Sequence, residues 1–255
     1  MYLILSYIKF YLRSIKLHGV HSPFVFELVT KCFNDTKNYP EYTLLEHYNK
    51  ELAQSKEILT VKDFGSGSRV FRSNKRKVSA IAKHAGISKK RQQLLFRLTR
   101  YFNFKNTLEL GTSLGKATCA FALSENNQVV SLEGCPATAS FAEKNLKQAG
   151  HSNVEVIHET FENFLNKPLE MTPDCIYIDG NHTYKDTIDY FQKLLPVVHN
   201  NSLLIFDDIY WSADMQLAWK EIAAHPKVTV AIDTFQWGIV CFREEQKKES
   251  FTIRL

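Results

Sequence analysis

The stretch that decides the fold is TLELGTSLG, residues 107–115. Its first four residues predict a short strand, Gly111 allows a tight turn, and Gly115 begins the next helix. Glycines in such a turn let the backbone approach a ligand closely, and the N-terminus of the following helix favours negatively charged groups. The stretch therefore predicts the ligand-binding turn of an α/β domain.

The residues that follow alternate regularly between strand and helix patterns. Runs such as CIYI (175–178) and SLLIF (202–206) are apolar at nearly every position, which is typical of strands buried on both faces. The predicted strands are 107–110, 128–133, 153–158, 174–179, 202–207, 228–235 and 237–242, and the predicted helices are 115–124, 136–149, 184–197 and 212–224. We expect a Rossmann-like, doubly wound, mostly parallel sheet of seven strands, with the last two forming an antiparallel hairpin at its edge.

The chain divides by pattern into three regions: an N-terminal helical extension (1–60), a basic connector or lid (61–91) and the α/β domain (92–255). In the first region, apolar residues recur at helical spacing at Ile4, Ile8, Tyr11, Leu12 and Ile15. Packing of this helix against the body of the protein is the leading interpretation, and contact with a membrane surface is the alternative. The apolar run is too short to span a bilayer, so we predict no transmembrane segment.

Composition narrows the class of protein. With 255 residues and 44% apolar residues, the chain can bury a large core. Its five cysteines are scattered and form no C-x-x-C pair, which favours a reduced, cytoplasmic protein with buried thiols.

The charge is unevenly distributed along the chain. Residues 65–108 contain twelve Lys or Arg and no acid, leaving 20 of the 32 basic residues against 27 acidic ones elsewhere. Such a segment is suited to an anionic ligand, to RNA or to a solvated face, and the sequence alone leaves these open.

A second glycine-containing stretch, VKDFGSGS (61–68), competes for the role of ligand-binding turn. It is followed by RVFRSNKRK (69–77), which has no apolar helical face, and residues 69–108 contain no acidic side chain. We therefore interpret Gly65 and Gly67 as a hinge. We expect Arg69–Lys77 to lie near the mouth of the active site.

The first stretch is better supported, because the next strand, QVVSLEG (128–134), ends in an acid. An acidic residue at this distance accepts both hydroxyl groups of a ribose, and the end of the following strand is where an adenine ring would lie. The predicted cofactor contacts are Glu109, Gly111, Thr112, Ser113, Gly115, Glu133, Gly134, Thr160, Phe161 and Asp179.

Residues 90–243 resemble the class I S-adenosylmethionine-dependent methyltransferases, and most closely the catechol O-methyltransferase-like group with a DGxHxY segment. The motifs ELGTSLG, Glu133, YIDGNHTY (177–184) and LLIFDDIYW (203–211) stand in the order and spacing of that family. The resemblance implies S-adenosyl-L-methionine as cofactor and transfer of a methyl group to a hydroxylated small molecule. It does not extend to residues 1–60 or to the connector.

The resemblance also implies a divalent metal, Mg²⁺ or another cation, held by Asp179, Asp207 and Asp208. Asp208 stands where the catechol enzymes have Asn, and His182 stands where they have a Lys base. The resemblance thus assigns catalysis to His182 and Asp179. Without the resemblance, the two strand-end acids Asp179 and Asp207 are also suited to helix capping or cofactor contact. His182 is likewise suited to a structural hydrogen bond.

Two other functions remain open at this stage. An RNA (tRNA) methyltransferase of the same fold could use the basic segment 65–108, and a non-catalytic protein could keep only cofactor binding. A nicotinamide-dependent dehydrogenase is weaker, because the turn lacks a G-x-G-x-x-G arrangement. The sequence leaves open the identity of the methyl acceptor and the existence of a homodimer.

Overall fold

A computed structural model of the chain describes residues 1–15, 19–64, 67 and 70–255. Two compact units emerge from its contacts. We call Met1–Asn34 with Leu165–Leu255 the first unit, and Asp35–Phe164 the second unit. Gly65 of the predicted hinge and Arg69 of the basic run lie outside the described residues.

The elements of the N-terminal part are mostly helical, as expected. They are α1 (Tyr2–Arg13), α2 (Pro23–Leu28), a π-helical turn (Val29–Phe33), α3 (Tyr42–Gln54), β1 (Ile58–Thr60), β2 (Lys75–Lys77), α4 (Val78–His84) and α5 (Lys89–Phe102). The alternating part follows as β3 (Asn106–Leu110), α6 (Lys116–Ala122), β4 (Gln128–Leu132), α7 (Pro136–Gln148), β5 (Val154–Ile157), α8 (Phe161–Leu165), β6 (Cys175–Ile178), α9 (Tyr184–Leu194), β7 (Leu203–Asp207), α10 (Ala213–Ala224), β8 (Val230–Asp233), β9 (Trp237–Cys241) and β10 (Glu249–Thr252).

The main sheet contains eight strands within the described ranges, so the prediction of seven was one short. In the second unit the order is β3-β4-β5, and all pairs are parallel. In the first unit the order is β10-β8-β9-β7-β6, with β9 antiparallel to both of its neighbours. The predicted α/β fold with an antiparallel β8–β9 hairpin is thereby confirmed.

The position of that hairpin at the sheet edge was wrong. Strand β10 adds to β8 in parallel and forms the edge instead. Its sequence, ESFT, follows the charged run REEQKK, and Phe251 is its only buried side chain. A strand with one buried residue gives no alternating or continuous apolar pattern to recognise.

The core is built where the apolar runs predicted it. Every residue of β6, β7 and β9 is buried, in agreement with strands covered on both faces. The five cysteines are buried, as expected from their scattered positions.

Part of the basic connector is regular structure, which the sequence analysis did not predict. Strand β2 pairs with β1 in antiparallel register, Leu59 opposite Arg76. Helix α4 then buries Val78 and Ile81. Strand β2 consists of three lysine and arginine residues, so it has no hydrophobic period. Its pairing with β1 decides its conformation.

Helix α1 buries the opposite face from the one predicted. Ser6 and Phe10 are buried, whereas the apolar stripe of Ile4, Ile8, Tyr11 and Leu12 is exposed. The reason is aromatic packing, because Phe10 lies 5.4 Å from Phe235 and 6.4 Å from Tyr210 between ring centroids. None of the helices in the described ranges is long and apolar enough to cross a membrane.

The close approach of β9 to α10 gives a test of this packing. A Cβ added at Gly238 would lie 2.4 Å from the indole of Trp219, a nearly buried side chain. We expect Gly238→Ala to lower the free energy of unfolding by about 1–3 kcal/mol, measured by urea denaturation. In a Trp219→Leu background the same substitution should cost less. An equal cost in both backgrounds would contradict the contact.

Candidate active site

The carboxylate of Glu133 ties the glycine-containing turn to the end of β4. Its Oε2 accepts a hydrogen bond of 2.9 Å from the Ser113 backbone N–H, and its Oε1 accepts one of 2.9 Å from the Cys135 N–H. The predicted ribose acid therefore lies directly against the predicted cofactor turn. Each carboxylate oxygen retains a further lone pair for another donor.

The turn needs glycine for its backbone shape. Gly111 and Gly115 have φ of 116° and 74°, and Ser113 between them is also left-handed at 48°. The N–H groups of Gly111 and Thr112 both donate to the carbonyl of Leu132, at 3.0 and 3.1 Å. The turn is consequently fixed against β4 by backbone contacts as well as by Glu133.

The side of the turn at Gly115 is occupied by the protein itself. A Cβ at Gly115 would lie 2.7 Å from the hydroxyl oxygen of Tyr48 and 3.1 Å from Leu146. The Tyr48 hydroxyl donates a 2.8 Å hydrogen bond to the carbonyl of Leu114. Burial raises the pKa of Tyr48 well above its usual range, so this hydroxyl keeps its proton. Gly115 is thus needed for packing by α3 and α7, in addition to any ligand.

Two of the predicted cofactor contacts have their side chains beneath the turn. Glu109 is fully buried, and its Oε2 accepts hydrogen bonds from Thr118 at 2.5 Å and Ser131 at 2.6 Å. The Thr112 hydroxyl lies 2.5 Å from that of Ser131. These groups form a buried polar cluster that supports the turn from below.

The surroundings of Glu133 come partly from the second glycine-containing stretch. The ring of Phe64 lies against Gly134. A Cβ added to Gly134 would lie 3.0 Å from a carbon atom of that ring. The Nε2 of His158 lies 3.2 Å from the Gly134 carbonyl. Burial raises the pKa of Glu133 above its usual range, opposed by the two backbone hydrogen bonds and by His158, and nearby Asp63 raises it further.

The predicted adenine-side residues begin α8. The Thr160 hydroxyl accepts a 3.3 Å hydrogen bond from the Asn163 N–H, and Phe161 is the first residue of the helix. Thr160 therefore acts as a helix cap at the end of the segment that follows β5.

Cations of the basic segment pair with acids of the second unit. Arg76 lies 3.3 Å from Asp63, the acid whose charge acts on Glu133. Lys89 pairs with Glu46 and Arg100 with Glu41. The described part of the run 69–77 thus includes one cation paired with an acid whose charge acts on Glu133.

In the first unit, the ends of β6 and β7 gather carboxylates around the fully buried Tyr177. Its hydroxyl donates to Asp207 Oδ2 at 2.8 Å and lies 3.4 Å from Asp179 Oδ2. Asp207 Oδ1 accepts a 2.8 Å hydrogen bond from the N–H of Asp208, a residue with φ of 53°. Asp207 is therefore buried with both oxygens hydrogen-bonded.

His182 faces these carboxylates from a strained turn. Asn181 and His182 have positive φ angles of 62° and 47°, and the His182 Nε2 lies 3.5 Å from Asp179 Oδ1. Burial lowers the pKa of His182, but the hydrogen bond and charge of Asp179, together with Asp208 and Asp207, outweigh burial and raise it. The ring also lies 5.8 Å from that of Trp211.

The helix-capping interpretation of the strand-end acids was wrong. Helix α9 is capped by Thr183, whose hydroxyl accepts from the Asp186 N–H, and α10 is capped by Ser212, which accepts from Met215. Asp179 and Asp207 face Tyr177 and His182 instead.

The carboxylates do not fit a metal centre as they are arranged. Among the residues that the structure describes, no group of three or more His, Cys, Asp or Glu side chains is placed to hold a metal ion. The two oxygens of Asp207 already accept hydrogen bonds from Tyr177 and the Asp208 N–H, so protein donors orient this carboxylate. The implied Asp179–Asp207–Asp208 metal site is not formed in this arrangement.

The turn held by Glu133 follows β3, at the carboxyl end of a parallel strand, where open α/β sheets commonly bind ligands. Residues 108–209 match the family model described as a methyltransferase domain. The chain is 30% identical over 129 residues to a catechol O-methyltransferase of Niastella koreensis. The aligned residues cover 48% of this chain and 58% of that relative. The match of residues 108–209 and the similarity to this relative confirm the resemblance found in the sequence.

Solved structures agree on the fold. An SAH-bound methyltransferase of Podospora anserina matches with a TM-score of 0.60 at 16% identity, covering 88% of this chain and 97% of its own. An O-methyltransferase of Bacillus cereus in complex with SAH matches with a TM-score of 0.55 at 18% identity, covering 90% of this chain and 100% of its own. At such identities the likeness concerns the fold.

Three contributors to the turn were missed by the sequence analysis: Tyr48, Phe64 and His158. Tyr48 lies on α3, where the family resemblance stops, and no spacing pattern links it to Leu114. Phe64 belongs to the stretch interpreted only as a hinge. Long-range contacts of single aromatic residues leave no local signal in a sequence.

The Tyr48 hydrogen bond can be tested by removing one oxygen atom. We expect Tyr48→Phe to lower the free energy of unfolding by about 1–3 kcal/mol, because the buried carbonyl of Leu114 loses its donor. Tyr184→Phe is the matched control, since Tyr184 bonds to Glu221 at an exposed position and should change stability by less than about 0.5 kcal/mol. Equal effects of the two substitutions in urea denaturation would contradict this role.

Proposed function

We propose that the protein is an S-adenosylmethionine-dependent O-methyltransferase that acts on a hydroxyl group of a small molecule. The observation that carries the proposal is the contact of Glu133 with Ser113, which joins an acid at the end of β4 to the glycine turn after β3. The match of residues 108–209 to the methyltransferase family and the catechol O-methyltransferase relative support it.

The second unit supplies the proposed cofactor site. Glu133 accepts hydrogen bonds from the ribose hydroxyls through its remaining lone pairs. The positive φ angles of Gly111 and Gly115 shape the turn, while Glu109 and Thr112 hold it in place from beneath. When bound, S-adenosylmethionine supplies a methyl group on a positively charged sulfur.

The first unit supplies the proposed base. His182 accepts the proton of the acceptor hydroxyl through Nδ1, because its Nε2 faces Asp179. Asp179 orients the ring and stabilises the positive charge that the ring gains. The raised pKa of His182 reflects the same carboxylates, which favour its protonated form.

A divalent metal has less support than the histidine. Asp207 already accepts hydrogen bonds from Tyr177 and the Asp208 N–H, and no group of three or more His, Cys, Asp or Glu side chains is placed to hold a metal among the described residues. We therefore propose proton transfer to His182 without a step through a cation.

RNA as acceptor also has less support. Arg76, Lys89 and Arg100 of the basic segment pair with Asp63, Glu46 and Glu41. These pairs offset part of the charge that would otherwise attract phosphates.

The role of Glu133 predicts both a loss of affinity and a change in pH dependence. Glu133→Gln should weaken binding of S-adenosylhomocysteine roughly tenfold to hundredfold in calorimetry, since hydrogen bonds to a charged group are lost. In the native protein the affinity should be full above the raised pKa of Glu133 and fall as the pH drops through it, because the protonated carboxyl is a weaker acceptor. The Gln variant should show no such fall.

Glu155→Gln, an exposed acid on β5, is the matched control and should bind as the native protein does. Unchanged affinity of Glu133→Gln, with a native thermal midpoint, would remove the ribose role from Glu133.

The role of His182 predicts a selective loss of turnover. His182→Gln should lower kcat by about 10²–10⁴, measured as S-adenosylhomocysteine release with catechol as the probe acceptor, while S-adenosylhomocysteine affinity stays nearly native. The control is His199→Gln, which removes a similar His–Asp pair, 3.4 Å from Asp174, and should leave kcat unchanged.

Full activity of His182→Gln would exclude it as the base. The same assay after dialysis against EDTA addresses the metal: we expect retained activity, and a loss restored by Mg²⁺ would show that the carboxylates rearrange around a cation.

A further inference from the structure

The first helix presents a concentrated apolar surface. Nine of the 17 large hydrophobic side chains exposed in the described residues belong to the first twelve positions. Ile4, Leu5, Ile8 and Leu12 follow one another at spacings of one, three and four, and we call them the apolar face of α1. Their exposed fractions are 67%, 52%, 49% and 78%. An exposed apolar patch of this kind marks an interaction surface.

The helix is held firmly by its other side, so the apolar face is displayed rather than loosely packed. Phe10 is buried against Phe235 and Tyr210, and the Tyr2 hydroxyl donates to the Ser212 carbonyl at 3.0 Å. After the helix, the Ile15 N–H donates to Thr252 of β10 at 2.9 Å. These contacts fix which face of α1 points away from the core of the first unit.

The charges carried by the N-terminal segment are positive. Residues 1–26 contain no Asp or Glu. Lys9 is exposed on α1, and the guanidinium of Arg254 lies 4.2 Å from the ring centroid of Tyr11. Tyr7 and Tyr11 are half exposed beside the aliphatic residues. Aliphatic side chains flanked by tyrosines and cations are the composition of helices that lie in the interface of a lipid bilayer.

We propose that α1 docks the protein on an anionic membrane surface, with the apolar face inserted and Lys9 and Arg254 at the level of the headgroups. A helix of 12 residues is about 18 Å long, shorter than the roughly 30 Å hydrocarbon core, so α1 lies in the interface rather than across it. A second copy of this chain fits less well, because pairing two such faces would bring their cations together without an acid in residues 1–26 to neutralise them.

Co-sedimentation of the full chain with lipid vesicles tests this proposal. We expect binding to vesicles of phosphatidylglycerol with phosphatidylcholine, much weaker binding to phosphatidylcholine alone, and weakening by added salt. Ile8→Asp and Leu12→Asp should each lower the binding constant by at least on the order of tenfold. Lys9→Gln should lower it roughly fivefold.

Leu217→Asp is the matched control: it places the same charge at a 54% exposed leucine of α10 and should bind as the native chain does. The replaced side chains are exposed, so the variants should keep the native circular dichroism and thermal midpoint. Absence of binding to anionic vesicles, or binding unaffected by Leu12→Asp, would overturn the proposal. So would a dimer in light scattering that Leu12→Asp dissociates while vesicles are not bound, an outcome that assigns the face to a second copy.

Discussion

The second unit depends on one partly buried carboxylate, Glu133, that must remain hydrogen-bonded. Glu133 accepts from the backbone on both sides of it, at Ser113 in the turn and at Cys135 before α7. A buried acid without such donors would be costly, so the contact fixes the turn and the start of α7 together. The left-handed residues Gly111, Ser113 and Gly115 are the conformational consequence. A second acid, Glu109, is turned inward and stabilises the same turn through Thr118 and Ser131. One turn therefore separates Glu109, which supports it from beneath, from Glu133, to which the proposed function assigns the cofactor ribose.

The parts of the fold that the sequence predicts are those in which each residue carries the same signal. Strands β6 and β7 are buried at every position, so a continuous apolar run is sufficient to locate them. Strand β10 was missed because Phe251 alone is buried, and β2 because it is formed from lysine and arginine. For α1 the period was found but assigned to the wrong face. The apolar stripe suggested a core, whereas the contact of Phe10 with Phe235 and Tyr210 is made by distant residues that no helical period describes.

The same distinction applies to the candidate site. The turn and Glu133 follow consecutive strands of a parallel sheet, so their proximity could be derived from strand order. Tyr48 and Phe64 come from regions without a family counterpart, and their contacts with Leu114 and Gly134 depend on how α3 and the segment after β1 pack. Thr112 was predicted from its place in the motif, but only the structure shows that its hydroxyl faces Ser131. A motif thus predicts which backbone surrounds a ligand better than it predicts where each side chain points.

The carboxylates of the first unit show why the exact partners matter for chemistry. Three acids at the ends of two strands create a negative potential that must be compensated. Tyr177 and the Asp208 N–H satisfy Asp207 with neutral donors, which leaves Asp179 as the partner of His182. In the proposed reaction the compensating positive charge then arrives with the proton that His182 accepts. The surrounding acids stabilise the ring in the protonated state that follows proton transfer, and the same field raises its pKa beforehand. In the proposed reaction His182 thus provides, with a transferable proton, the charge compensation that a bound cation would otherwise provide.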